Sequence, residues 1–232
     1  MDTSELKRLV ENYRPNAEVL EAVAQIRLLA TVGPTATGKT TVAKALVDSV
    51  PGFHFVLGET SRPARPGEEP GVDYLFRNRE EIIEDLKAGR LVDVVLGAHG
   101  DLYSTRVSSY SKDGVSIMAL IPPAIQKYRE LPLKSLEIAF IVPSSYENWQ
   151  KWLALRQKEG QWSAEQLGER LAEAKNSLNF ALNDGQISFV LNDQINSAAK
   201  RLLQVSGGQQ PDGEAQAKTT AAENYKRLLK EG

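Results

Sequence analysis

Gly33-Pro34-Thr35-Ala36-Thr37-Gly38-Lys39-Thr40 is the stretch that decides the fold. It fits G-x-x-x-x-G-K-[ST] without a mismatch. Glycines let such a loop turn its backbone N–H groups inward around a phosphate chain. Lys39 supplies a point positive charge for the β and γ oxygens, and the Thr40 hydroxyl is a ligand type suited to Mg²⁺. The flanks agree with this reading. Residues 26–32 are apolar and read as a buried strand leading in. Residues 41–47 read as a helix leading out, whose N-terminal dipole adds to anion affinity. A glycine-rich turn that binds nothing has no need of strand, loop, lysine and helix in register.

Outward from the loop, strand and helix patterns alternate, which predicts an α/β fold built on a parallel sheet flanked by helices. Strands are expected at 53–57, 91–96, 115–121, 136–142 and 189–191. Capping boxes are expected to open helices at Asn78 with Glu81, Ser144 with Glu147, and Ser163 with Gln166. Residues 157–161 form a polar connector between the last two helices. Residues 4–24 read as helical with a break near Pro15, since Leu6, Leu9, Val10 and Tyr13 fall at helical spacing. Residues 206–218, rich in Gly, Gln, Ala and Thr, read as a linker, with a short helix expected at 225–229. The chain shows no internal repeat.

A chain of 232 residues buries a substantial core. Its formal net charge of −2 gives no global attraction to nucleic acid or to anionic membranes. The absence of Cys excludes a disulfide framework, a thiolate metal site and a Cys nucleophile. No apolar run approaches the roughly 20 residues of a membrane span. The polar N-terminus does not read as a signal peptide, so the cytoplasm is the expected location. Of the two histidines, His54 sits in an apolar strand and is expected to be a packed core residue. His99 has no partner at metal-ligand spacing. Trp149 and Trp152, three apart, suggest helix packing, and the run 77–81 a solvated helix start.

A second constellation narrows the function. Thr60-Ser61-Arg62-Pro63-Ala64-Arg65-Pro66-Gly67-Glu68-Glu69-Pro70-Gly71-Val72-Asp73-Tyr74-Leu75-Phe76 carries two arginines three apart on a proline-stiffened loop. Two guanidinium forks so placed suit one phosphate, and the prolines reduce the entropy lost in holding them. The stretch matches T-[TS]-R-x-x-R-x-G-E-x-x-G-x-D-Y-x-F throughout, and here the chain resembles the guanylate kinase family. The resemblance runs from about residue 26 to 203.

The resemblance implies a P-loop core over 26–205, a small β-rich monophosphate-binding insert at 58–110 and a helical lid at 150–175. An N-terminal helical segment (1–25) and a flexible tail (206–232) lie outside it. It implies ATP and Mg²⁺, with Gly33, Pro34, Thr35, Ala36, Thr37, Gly38, Lys39, Thr40, Thr41 and Asn192 contacting ATP and Thr40 reaching the metal. Arg62, Arg65, Tyr74 and Tyr103 correspond to residues that hold the GMP phosphate, and Asp93 and Thr105 to residues on the guanine. Lys39, Arg62, Arg156 and Arg170 correspond to the catalytic cations. The expected reaction is ATP + GMP ⇌ ADP + GDP, in a monomer or homodimer whose partners are small nucleotides rather than nucleic acid or membrane.

The chain departs from the family in four places. Gly58 stands where a Ser contacts the base, and Asp93 where a Glu does. Residues 119–123, Ala-Leu-Ile-Pro-Pro, replace strand-end acidic residues, leaving no carboxylate at Leu120 or Pro122. Trp152 occupies the place of a lid arginine. His99-Gly100-Asp101-Leu102-Tyr103 resembles the family's H-G-x-x-Y with one residue inserted near Gly97. Two other readings stay open. One is a kinase for another ribo- or deoxyribonucleoside monophosphate. The other is a catalytically weakened binding module that uses the same arginines for phosphopeptides.

Overall fold

The structure is a computed structural model that describes residues 2–64, 67–97, 100–158 and 163–230. Arg65, His99 and most of the 157–161 connector therefore lie outside the described residues. The chain divides into two compact units, which are taken in turn.

The first unit comprises Met1–Leu28, His54–Ser116 and Ala124–Ser135. It holds helices α1 (Thr3–Glu11) and α2 (Ala17–Val23), capped by Asp2 and Asn16, whose side chains accept the N–H groups of Glu5 and Val19. A four-stranded sheet is built from β3 (Glu59–Thr60), β4 (Leu75–Phe76), β5 (Asp93–Leu96) and β6 (Leu102–Thr105), in the order β4-β3-β6-β5. The β5/β6 pair is antiparallel, with Asp93 opposite Thr105 and Val95 opposite Tyr103. Helix α4 (Arg79–Lys87) covers one face. Its Ile82 and Leu86 join Leu6, Val10 and Tyr13 of the N-terminal segment and Leu91, Val94 and Leu102 of the sheet in one core cluster. The predicted N-terminal cover is thus packed on this unit, and the break at Pro15 separates α1 from α2.

A buried ionic network also holds this unit. Arg77 donates to Glu59 (2.9 Å), Asp85 (2.9 Å) and Glu81 (3.3 Å). Arg106 contacts Glu59 at 2.8 Å and pairs with Asp85, and Arg90 donates to Asp85 at 2.7 Å. Glu59 and Asp85 are both nearly inaccessible. Burial pushes the Asp85 carboxyl up, but hydrogen bonds from Arg77 and Arg90, with Arg106 nearby, outweigh it and hold it below the usual range. The run 77–81 is accordingly not simply a solvated helix start. Asn78 does cap α4, by accepting the Glu80 N–H at 2.8 Å, while Glu81 turns to Arg77 instead of closing a capping box.

The second unit comprises Leu29–Phe53, Ile117–Pro123 and Leu136–Gly232. The five-stranded sheet takes the order β2 (Phe53–Phe55), β7 (Val115–Ala119), β1 (Arg27–Val32), β8 (Ser135–Pro143) and β9 (Ser188–Asn192). No neighbours in that order are joined by a hairpin, as a helix-crossed α/β sheet requires. Strands β8 and β9 pair in parallel, from Ala139 opposite Ser188 to Pro143 opposite Asn192. Helix α3 (Lys39–Ser49) follows the loop after β1, and α5 (Pro122–Glu130) follows β7. After β8 come α6 (Tyr146–Lys158) and α7 (Ala164–Asn183). The Ser163/Gln166 capping box is present at α7. At α6 the cap is Ser145, which accepts the Asn148 N–H at 3.2 Å, and Ser144 binds the Asn148 side chain. His54 is exposed at the sheet edge rather than packed in the core.

Helix α8 (Ile195–Ser206) packs on α3 and β9. The expected linker is shorter than its composition suggests, because α9 spans Glu214–Lys230. Ala217, Ala221 and Leu228 lie on one stripe of α9 and are buried against β9 and α7. Small residues at that spacing read as low complexity in sequence, yet they permit close helix approach. Arg227 of α9 pairs with Glu147 of α6.

Candidate functional site

In the second unit, the P-loop runs between β1 and α3 with positive φ at both of its glycines. Gly33 has φ +146°, and a Cβ there would lie 2.6 Å from the Ile141 carbonyl oxygen of β8. Gly38 has φ +85°, and a Cβ there would meet the Asn192 amide at 2.6 Å. Neither position tolerates a side chain, so both glycines are required by conformation and by space. Side chains pin the loop from three directions. Thr37 Oγ1 donates to Pro34 O at 2.9 Å, Asn192 Nδ2 to Thr37 O at 2.9 Å, and Trp149 Nε1 to Thr35 O at 2.8 Å. Trp149 is fully buried, so its place as a helix-packing residue is also a brace for the loop.

Lys39 Nζ donates to Gly33 O (2.9 Å) and Pro34 O (2.8 Å), both neutral acceptors. Burial, then the positive charges of Arg156 on α6 and Arg170 on α7, push its ammonium down to about 8. The three cations named in the sequence are thus electrostatically coupled within this unit. Arg170 pairs with Glu173 at 2.9 Å, and Arg156 is exposed. Thr40 and Thr41 open α3 on the exposed side. Asp193, beside Asn192, is held by Arg201 at 2.6 Å. That hydrogen bond is the main cause that keeps its carboxyl below the usual range.

In the first unit, strand alternation collects most of the second group on one face of the four-stranded sheet. Tyr103 and Thr105 of β6 and Asp93 of β5 share that face, because Asp93 is opposite Thr105 and Tyr103 lies two residues before it. Tyr74 meets Tyr103 edge-on with ring centroids 6.1 Å apart. Arg62 lies over the Tyr74 ring at 5.1 Å and the Phe76 ring at 5.7 Å, and is only 7% exposed. Its two terminal nitrogens donate to the two carboxylate oxygens of Glu68 at 2.6 and 2.7 Å. This bidentate bond, with a further one to Tyr103, raises the guanidinium above its ordinary value.

Thr105 Oγ1 is shared with the hydroxyls of Tyr110 (2.9 Å) and Tyr128 (3.3 Å), which bond each other at 2.8 Å. Asp93 is buried, and its Oδ1 makes no hydrogen bond. Burial raises its carboxyl, and Lys127 opposes that rise. A Cβ on Gly58 would lie 3.6 Å from Tyr74 and 3.7 Å from Ser104 O, so the missing Ser is not forced out by packing.

The structure therefore places Arg62, Tyr74, Tyr103, Thr105 and Asp93 together, and separately Lys39, Arg156, Arg170 and Asn192. Sequence reading missed the partners: Glu68 on Arg62, Lys127 near Asp93, and Glu173 on Arg170. Glu68 stood inside the quoted motif, whereas Lys127 had no local signal at all. Among the described residues, no group of three His, Cys, Asp or Glu side chains is arranged to hold a metal ion, and no helix is long and apolar enough to cross a membrane.

The family model "Guanylate kinase" matches residues 25–206. The guanylate kinase of Hahella chejuensis is 32% identical over 176 residues, covering 74% of this chain and 81% of the relative. That of Rubrobacter xylanophilus is 30% identical over 184 residues, covering 77% and 92%. The crystal structure of guanylate kinase from Anaplasma phagocytophilum shares the fold, with TM-score 0.54 and 18% identity over 80% of this chain and 86% of that one. An intact P-loop, an arginine-bearing sheet face and a match across most of the length together make this chain a member of the guanylate kinase family.

Proposed function

We propose that the chain transfers the γ-phosphoryl group of ATP to a nucleoside monophosphate, GMP, giving ADP and GDP. The observation that carries the reading is the single sheet face that presents Arg62, Tyr74 and Tyr103 beside Thr105 and Asp93, in a chain whose P-loop is intact. The guanidinium and the tyrosine hydroxyls suit a phosphate. A buried carboxylate suits guanine, whose N1–H and 2-amino group are adjacent donors. Such a site rejects adenine, because the buried acceptor would lose its partners.

Phosphoryl transfer needs alignment and charge neutralisation more than covalent help from the protein. Lys39 is suited to the β and γ oxygens of ATP. An anion there supplies what Gly33 O and Pro34 O do not, a compensating charge. Arg156 and Arg170, already coupled to Lys39, add charge for the moving group. At the acceptor, a phosphate meets Arg62 only by sharing it with Glu68 or replacing that carboxylate.

Among the described residues the donor set fits Mg²⁺ carried by the phosphates of ATP, with Thr40 as its protein ligand, and does not fit an ion held by the protein alone. When bound, the ion would supply neutralising charge to the phosphates. The absence of a carboxylate at Leu120 and Pro122 favours a slow enzyme within this reading.

The test is a coupled assay with ATP-Mg and each of GMP, AMP, CMP, UMP and their deoxy forms. ADP release with a clear preference for GMP or dGMP is expected. Preference for another monophosphate would reassign the acceptor. Binding of GMP or a phosphopeptide without turnover would leave the binding-module reading.

A further inference from the structure

Asp93 differs from the other buried carboxylates of its unit. Glu59 and Asp85 are ringed by arginines at hydrogen-bond distance. Asp93 Oδ1 makes no hydrogen bond, and the Lys127 ammonium stands 4.0 Å from it. Lys127, on α5, is itself fixed by two backbone carbonyls. It donates to Val94 O at 3.1 Å, next to Asp93 on β5, and to Val10 O at 3.5 Å, in α1. The same N-terminal segment clamps the start of β5 a second time. Tyr13 OH donates to Leu91 O at 2.5 Å and accepts the Leu91 N–H at 2.9 Å. Residues 3–13 lie outside the 25–206 stretch that the family model matches.

We infer that Lys127 is a positioning residue for base recognition: held by Val10 and Val94, it is the counter-charge that keeps Asp93 ionised, and the N-terminal segment is thereby part of the acceptor site. This rests on the reading of Asp93 as the guanine acceptor.

The physical reason is asymmetric. A buried carboxylate without a nearby cation takes up a proton instead of remaining charged. A protonated Asp93 has a donor where guanine also presents donors, so only the ionised fraction is competent. Apparent affinity then falls in proportion to that fraction. Among the described residues, the titratable and charged groups that interact with Asp93 are Lys127 and Tyr128 of α5, Tyr110, and Tyr13 after α1. Burial is the largest cause that raises all three tyrosines, Tyr13 up to about 12, so none carries charge near neutrality. Lys127 is the cation of that set. A lysine that merely satisfied Val10 O and Val94 O would support the strand, and its charge would be irrelevant to nucleotide choice.

The sign of the pH effect follows. Burial places the Asp93 proton above its ordinary range, and Lys127 pulls it back. Removing Lys127 moves the acidic limb of kcat/KM for GMP to higher pH. The defect is therefore large at low pH and shrinks as Asp93 ionises.

The experiment compares wild type, Lys127→Met and Lys127→Arg. Carbon-13 carboxyl NMR follows the Asp93 titration in nucleotide-free protein, with Asp93→Asn identifying the signal. Kinetics give KM for GMP and for ATP from pH 5.5 to 9. In Lys127→Met the Asp93 midpoint should rise. KM for GMP should increase on the order of tenfold at the acid end and converge on wild type at the alkaline end. KM for ATP should stay constant, and Lys127→Arg should remain within about twofold of wild type. An unmoved Asp93 midpoint, or a GMP defect of equal size at every pH, overturns the inference. A moved midpoint in a protein that does not prefer GMP supports the pairing and removes the guanylate reading instead.

Discussion

The P-loop and the acceptor sheet face treat buried positive charge in opposite ways. Lys39 is desolvated, rests on two neutral carbonyls and faces Arg156 and Arg170, which outweigh the opposing Glu173, so its proton is loosened. Arg62 is clasped by the two oxygens of Glu68 on an aromatic bed, so its charge is already matched and its proton is tightened. The loop thus gains from the arrival of an anion, whereas the sheet face must exchange one anion for another. The contrast also separates what substitutions should do. On the loop a change removes function and leaves the fold. On the sheet face a change leaves a half-buried carboxylate, Glu68, without its partner.

The largest effect is expected at Lys39→Ala. It should lower kcat by about a thousandfold or more, since transition-state charge loses its nearest cation. Thermal unfolding should show a Tm no lower than wild type, because the lysine is a desolvated cation whose removal relieves repulsion. A variant that turns over normally would end the catalytic assignment.

Arg62→Ala tests the sheet side. KM for GMP should rise about a hundredfold while KM for ATP changes little, as a bidentate charge-assisted contact is lost. Urea denaturation should also show a loss of about 1–3 kcal/mol, because Glu68 loses its partner. A purely kinetic effect with no stability change would mean that Glu68 is satisfied by solvent.

Titration sharpens the contrast. In the free protein the Lys39 ammonium, brought down to about 8, loses its proton as pH rises through that value. ATP phosphates need the charged form, so kcat/KM for ATP should fall with an alkaline limb near pH 8. Arg62, raised instead of lowered, contributes no such limb to kcat/KM for GMP. Lys39→Arg should abolish the limb, because guanidinium stays charged.

The smallest effect is expected at Tyr13→Phe. Losing the bridge to Leu91 N and O should reduce stability by about 1 kcal/mol in urea titrations, with KM for ATP unaffected.

The sequence made the loop almost fully legible because the P-loop is contiguous and built from backbone. Glycines, lysine and hydroxyl declare their geometry in eight neighbouring positions. The acceptor side was legible as a list of residues but not as an electrostatic arrangement. Arg77, Asp85 and Arg90 lie on and beside α4, Arg106 follows β6, and no local pattern links them to Glu59. Lys127 was invisible for the same reason, since 34 positions separate it from Asp93 (127 − 93). Only the end of α9 was legible, as the short helix expected at 225–229, because the alanine-rich stripe before it resembles a linker until a partner surface is known. Capping motifs were found where Ser or Asn had one clear role, as at Ser163. They shifted where a neighbour offered a competing partner, as Arg77 does for Glu81.

Guanine selection through Asp93, as proposed, rests on one ratio. The measurement is kcat/KM for GMP divided by kcat/KM for AMP, in wild type and in Asp93→Asn, at fixed saturating ATP-Mg. An amide places a donor where the guanine 2-amino group also donates. The ratio should collapse by about a hundredfold, with KM for ATP unchanged and Arg62 still binding phosphate. An unchanged ratio, or a wild type with no preference for GMP, would contradict it.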